Sequence, residues 1–224
     1  MRKIALAAPC YGPRDPHVDQ SLRRAIMAAA KENEWMGDLS SIRQGWVAGR
    51  NASAKAAVEA NDVDYICWVD DDVLLHPQSF ARLLRDGEDF VTGILYQKFA
   101  PHYPLISRWN EEKQGFSPFE KWPENTLLPI DGCGFGICVT STNMLRKIQE
   151  LPDFEKDGWF NQIPGPRGVD FSEDFSFCIR AKKAGVRLWV DTGVVAEHLI
   201  GPTFASVANH QAAAAERAAE LPKE

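Results

Sequence analysis

The stretch Tyr65-Ile66-Cys67-Trp68-Val69-Asp70-Asp71-Asp72-Val73-Leu74-Leu75-His76-Pro77 reads YICWVDDDVLLHP. Five apolar or aromatic residues have the length and content of a buried strand. Three carboxylates follow at once, and an apolar run then resumes. Like charges packed at a strand end repel one another unless water screens them or a cation neutralises them. Pro77 suits the first turn of a helix that runs to Arg85, with Gly87 just past its end. The unit is therefore strand, acidic loop, helix.

The flanking sequence repeats that alternation. Lys3 to Ala8 reads as a strand and Asp19 to Lys31 as a helix with Leu22, Ile26, Met27 and Ala30 on one face. A second strand is expected within Trp35 to Trp46. Ala52 to Ala60 reads as a helix with Asn51 as its N-cap. Phe90 to Tyr96 gives another strand. Gln97 to Pro129 is rich in proline and aromatic residues and reads as loops and a hairpin over one side of a sheet. Leu127 to Val139 resumes strand content, Ser141 to Glu150 is a short helix, and 151 to 171 is a loop with many breakers. Ser172 to Ala184 is a helix ended by Gly185, Val186 to Val190 a strand, and Val194 to His198 a further short one. Such alternation predicts an α/β fold with a mostly parallel sheet and helices on its faces. The tail from Ala205 reads as a weakly amphipathic helix or a partly disordered segment.

At 224 residues the chain has room for one sizeable domain. Its formal charge of −6 and the lack of a Lys/Arg cluster argue against nucleic acid as a partner. The five cysteines are odd in number and form no C-x-x-C pair, so neither a disulfide framework nor a zinc cage is expected. Buried, reduced thiols and a cytoplasmic location fit that pattern. The opening MRKIALAAPC faintly resembles a lipoprotein signal, but its apolar core is short and Pro9 precedes the cysteine. No segment approaches the ~18 apolar residues of a membrane span.

Four short motifs carry the chemistry. Asp70 and Asp72, two apart at a strand end, are expected to face one side, where they would hold Mg²⁺ or Mn²⁺ with room left for phosphate oxygens. A bare D-x-D also arises by chance, and a solvated acidic turn is the plain alternative. In Ser172-Glu173-Asp174-Phe175 the acids suit a helix start, yet Asp174 there would also be placed to act as a general base. The helix terminus should lower its basicity, and nearby acids should offset this. His198, between Glu197 and Leu199, is either a structural histidine or a ligand for Mn²⁺ beside carboxylates. Arg50, in Gly49-Arg50-Asn51, is either a surface arginine or a partner for phosphate or carboxylate.

In order and spacing, this chain resembles a family-2-type nucleotide-sugar glycosyltransferase of the GT-A fold. The residues that carry the resemblance are Pro9-Cys10-Tyr11, G-R-N at 49–51, D-D-D at 70–72, the glycine-rich strand at 132–136, S-E-D-F-S-F-C-I-R at 172–180, A-G-V-R-L-W-V-D at 184–191 and E-H at 197–198. It covers about residues 3 to 201. It implies a single catalytic domain over 1–202, a tail at 203–224, and transfer of a sugar from a nucleotide-diphosphate donor to an acceptor hydroxyl with Mn²⁺ or Mg²⁺. By resemblance, Asp72, Asp70 and His198 would bind the metal. Pro9, Tyr11, Arg50, Asp70, Asp71, Gly132 and Gly134 would line the donor, and Asp174, with Glu173 beside it, would be the base.

The resemblance further implies an inverting single addition, because the Q-x-x-R-W motif of processive synthases is absent. UDP is the commonest nucleotide in such relatives. The acceptor would be a glycan, lipid or small molecule, with room for a partner subunit to complete its site. The aromatic loops at 96–122 and 154–160 are candidates to stack on it. A retaining GT-A transferase and a non-catalytic module that binds sugar nucleotides or glycans are the alternatives.

Overall fold

The computed structural model describes residues 1–10, 12–154, 158–201 and 203–220. In chain order the first half contains β1 (Lys3–Ala7), α1 (Pro16–Ala29), β2 (Glu34–Asp38), α2 (Trp46–Ala60), β3 (Tyr65–Val69), β4 (Val73–Leu74), α3 (Ser79–Asp86) and β5 (Phe90–Ile94). A middle section holds β6 (Ile106–Asn110), β7 (Gly115–Pro118), β8 (Leu127–Ile130), β9 (Gly132–Cys133), β10 (Ile137–Ser141) and α4 (Thr142–Gln149). Last come α5 (Glu173–Lys183), β11 (Leu188–Val195), β12 (Glu197–Ile200), β13 (Thr203–Ala205) and α6 (Val207–Glu220).

The main sheet has seven strands in the order β2-β1-β3-β10-β5-β11-β8. Strand β1 pairs in parallel with β2 and β3, and β5 with β11, whereas β10 and β8 run antiparallel to their neighbours. Five of the seven strands thus point one way. Side-chain alternation along each strand divides the core into two layers. Ile4, Leu6, Cys67 and Val69 face a cluster with Leu22 and Ala25 of α1 and Phe80 and Leu84 of α3. Ala5, Ala7, Ile66 and Trp68 face the other side, among residues of α2, α4 and α5. The architecture is three-layered α/β/α. Among the described residues no helix is long and apolar enough to cross a membrane.

Local chemistry accounts for several element ends. Asp15 caps α1 by accepting from the His17 amide, with Pro16 in the first turn. Gly87, at φ 77°, closes α3 in the left-handed conformation that suits glycine. Helix α2 differs from expectation. It begins at Trp46 with Gly45 as N-cap, so Asn51 lies inside the helix and is not its cap. Gly49 is what makes the earlier start possible: a Cβ there would lie 2.3 Å from Ser41 Oγ. The Asn51 side chain instead ties down a neighbouring loop, its oxygen accepting from the amides of Trp159 and Phe160 and its nitrogen donating to Asn161.

The expected hairpin within 97–129 is β6–β7, and β9 pairs with β6 to complete a three-stranded sheet. The same region also supplies the edge strand β8. The expected strand from Val186 to Val190 begins at Leu188 and continues to Val195. Cys67, Cys133, Cys138 and Cys178 are buried free thiols, and Cys10 is half-buried.

Candidate active site

Strand β3 ends at Val69, so Asp70-Asp71-Asp72 forms the turn that leads into β4. The expected i, i+2 strand geometry therefore does not apply, and a different device brings the acids together. Strand β12 pairs antiparallel with β4, with His198 opposite Val73. The Leu199 amide also donates to the Asp72 carbonyl at 2.9 Å. This small sheet fixes a histidine from near residue 200 against an acidic turn at residue 72.

Asp70, Asp72 and His198 each offer one ligand atom, and these atoms lie within 4.8 Å of one another. His198 is buried, and its Nδ1 lies 2.6 Å from the Tyr96 carbonyl oxygen. A carbonyl only accepts, so Nδ1 carries the proton and Nε2 presents a lone pair in the neutral ring. Nε2 stands 3.6 Å from Asp72 Oδ1, beyond ordinary hydrogen-bond length. An imidazole oriented through its far nitrogen, beside two carboxylates, is a donor set that fits Mn²⁺ better than Mg²⁺, which prefers oxygen ligands alone. The other oxygen of Asp72 accepts from the Lys98 ammonium.

The second half of the site is built on Arg50, whose side chain is only 3% exposed. Nη2 donates to Asp70 Oδ1 at 2.7 Å, and Nη1 donates to Glu173 Oε1 at 2.8 Å and Asp174 Oδ1 at 2.7 Å. The guanidinium also lies over the rings of Phe135 and Phe160. Three carboxylates thus share one buried cation. Burial pushes the Asp174 carboxyl up to about 7, against the pull of Arg50, and Glu173 and Asp70 add to the rise. The acidic neighbours and burial outweigh the helix terminus, and a carboxyl near 7 suits general-base work.

Gly134 borders the same space: a Cβ there would lie 3.7 Å from Asp174 Oδ2. Gly132 is buried further back, where a Cβ would meet the rings of Phe116 and Phe175 at 2.6–2.9 Å. Pro9 is buried beside the helix start, 3.5 Å from a Cβ placed on Gly49. Asp71 is half-buried in the turn between the two predicted ligands. Tyr11 lies outside the described residues, as do residues 155–157 of the aromatic loop at 154–160.

Three contributors escaped sequence reasoning. Lys98 pairs with Asp72 from a loop that offered no motif. Tyr96 acts through its backbone carbonyl, which its residue type does not announce. Gly136, where a Cβ would lie 3.6 Å from Asp70 Oδ2, belongs to the same glycine-spaced segment as Gly132 and Gly134, and that spacing was the available signal.

Neither a protein-family model nor a curated protein sequence matches this chain. Solved structures do. The crystal structure of A197 from STIV matches 89% of this chain and 86% of its own at 19% identity, with a TM-score of 0.50. The crystal structure of GalNAc-T7 with UDP, GalNAc and Mn²⁺ matches 96% of this chain at 9% identity, with a TM-score of 0.53. The fold is of the GT-A type. At these identities the likeness concerns the fold alone, and 47% of the GalNAc-T7 chain is matched.

Proposed function

We propose that the protein is a metal-dependent glycosyltransferase. It moves a sugar from a nucleotide-diphosphate donor, of which a UDP-sugar is the first to test, to an acceptor hydroxyl with inversion. The observation that carries this reading is the meeting of Asp70, Asp72 and His198 at one end of the Arg50 cluster, with Asp174 at the other. The UDP, GalNAc and Mn²⁺ in the GalNAc-T7 structure support the same donor chemistry on the same fold. Residues 1–202 make up the catalytic unit in this reading.

Asp70, Asp72 and His198 would hold the ion. Bound there, it supplies charge stabilisation to the departing diphosphate. Asp174 takes the proton from the acceptor hydroxyl, whose oxygen bonds to the anomeric carbon. The bond from that carbon to the diphosphate oxygen breaks, and its electron pair leaves with the nucleotide. Arg50 keeps Asp174 and Asp70 at a fixed separation, and Glu173 keeps the base from being fully neutralised by Arg50. Gly134 and Gly136 let the backbone run close beside Asp174 and Asp70, with Leu105 and Leu95 packed against them.

Purified protein incubated with a panel of nucleotide sugars and Mn²⁺ should release nucleoside diphosphate from at least one donor. Asp174→Asn should lose about 10²–10⁴-fold of that turnover while it still binds the donor. Tight donor binding with no turnover in the unmodified protein would instead favour a binding module.

A further inference from the structure

Beside the base lies a cleft of about 720 Å³, lined by Gly45, Trp46, Val47, Ala48, Asn51, Asn161, Gln162 and Glu173. The early start of α2 places Trp46 in the first turn, where it is 64% exposed. A tryptophan ring normally buries 150–250 Å² on folding, so a ring left this open has apolar surface available to a ligand. Resting on the glycosyltransferase reading above, we propose that this cleft is the acceptor site, that the acceptor group is a saccharide, and that Trp46 is its stacking platform.

The chemistry of the lining supports a neutral, polyhydroxylated ring. The described lining residues include no lysine or arginine, which disfavours a phosphate or diphosphate. The side-chain amides of Asn161 and Gln162 and the Glu173 carboxylate provide donors and acceptors suited to hydroxyl groups. Asn51 stiffens the wall, because its amide is fully engaged with Trp159, Phe160 and Asn161. Asn161 accepts from Asn51 at its oxygen, and among the described residues its NH₂ has no protein acceptor. Gln162 is exposed at the rim.

Position agrees with chemistry. Glu173 lines the cleft and shares Arg50 Nη1 with Asp174, at 2.8 and 2.7 Å. Neither Asp174 nor Asp70, Asp72 and His198 is among the lining residues, so Glu173 is the link between the cleft and the Arg50 cluster. Because Glu173 and Asp174 share Nη1 while Asp70 takes Nη2, the cleft adjoins the Asp174 end of the guanidinium, where an acceptor hydroxyl would give up its proton.

The test uses the full chain with Mn²⁺ and UDP and a panel of p-nitrophenyl glycosides of glucose, galactose, mannose, N-acetylglucosamine and N-acetylgalactosamine. Saturation-transfer NMR reads glycoside binding, and calorimetry reads UDP. At least one glycoside should bind, and Trp46→Ala should weaken it by about tenfold, as loss of an aromatic contact and its burial predicts. Trp46→Phe should recover part of that loss, Gln162→Ala should weaken binding more mildly, and UDP affinity should change less than twofold in all three. Glycoside binding that survives Trp46→Ala unchanged would overturn the proposal. So would a tenfold loss of UDP affinity in that variant, which would place the nucleobase on Trp46. Glycoside binding that depends on Trp46 in a protein that binds no UDP would uphold the saccharide site and refute the nucleotide-sugar donor.

Discussion

Asp70 and Asp174 hold opposite ends of a single guanidinium: Arg50 Nη2 donates to the former and Nη1 to the latter, each at 2.7 Å. The acidic turn and the start of α5 are thereby set at a fixed separation, although 103 residues of chain lie between Asp70 and Asp174. Glu173 joins the same Nη1 at 2.8 Å.

Removal of Arg50 leaves three neighbouring carboxylates without a counter-charge. Breaking a buried ion pair from one side costs about 3–5 kcal/mol. Arg50→Met should therefore lower the free energy of unfolding by about that amount in urea titrations at pH 7, and the loss should shrink as the pH falls and the acids protonate. A change under 1 kcal/mol would show that Arg50 is not the charge centre of the site.

Asp174 gives the pH dependence. Its carboxyl is pushed up to about 7 in the folded chain, above its ordinary 3.8. Between those values the native state binds more protons than the unfolded state, so this group's contribution to stability falls as pH rises from about 4 to about 7. Asp174→Asn should lack that component, and the stability difference between the two proteins should move in favour of the variant over this range. Turnover should run the other way and rise with pH through about 7, because the base acts deprotonated.

Lys98 competes with a cation for Asp72. Lys98→Ala should raise the affinity for Mn²⁺ alone by roughly fivefold, as expected for loss of a partly exposed ion pair worth up to ~1 kcal/mol. Calorimetry without nucleotide measures this directly, and weaker Mn²⁺ binding in the variant would contradict it.

Gly132 tests the aromatic wall behind the site. A Cβ there would lie 2.6 Å from the Phe116 ring and 2.8 Å from the Phe175 ring. Gly132→Ala should destabilise the fold by about 1–3 kcal/mol, as overpacking does. Thermal unfolding monitored by near-UV dichroism would show it, and an unchanged midpoint would mean that the rings shift freely.

The strand–helix alternation was legible because buried strands and amphipathic helices each follow a local period. The D-D-D turn was legible because three like charges after an apolar run need a reason. Its geometry was not: Asp70 and Asp72 meet His198 through the pairing of β4 with β12, a contact made across more than 120 residues. The start of α2 was misplaced because Asn51 is a favoured N-cap residue type, whereas Gly45 caps the helix and the missing side chain of Gly49 admits Ser41. Arg50 looked equally like a surface residue, since only the fold brings its three acids to it. Tyr96 and Lys98 were invisible for the same reason: one contributes a backbone oxygen, and the other a charge with no motif around it.

Whether one divalent ion binds Asp70, Asp72 and His198 together decides the account. Pulsed EPR on Mn²⁺ bound to the full chain should show hyperfine coupling to an imidazole nitrogen. That coupling should vanish in His198→Ala, with Mn²⁺ affinity lowered by at least about tenfold. Mn²⁺ bound without nitrogen coupling, or with equal affinity in His198→Ala and Asp72→Asn, would contradict a cation site at this position.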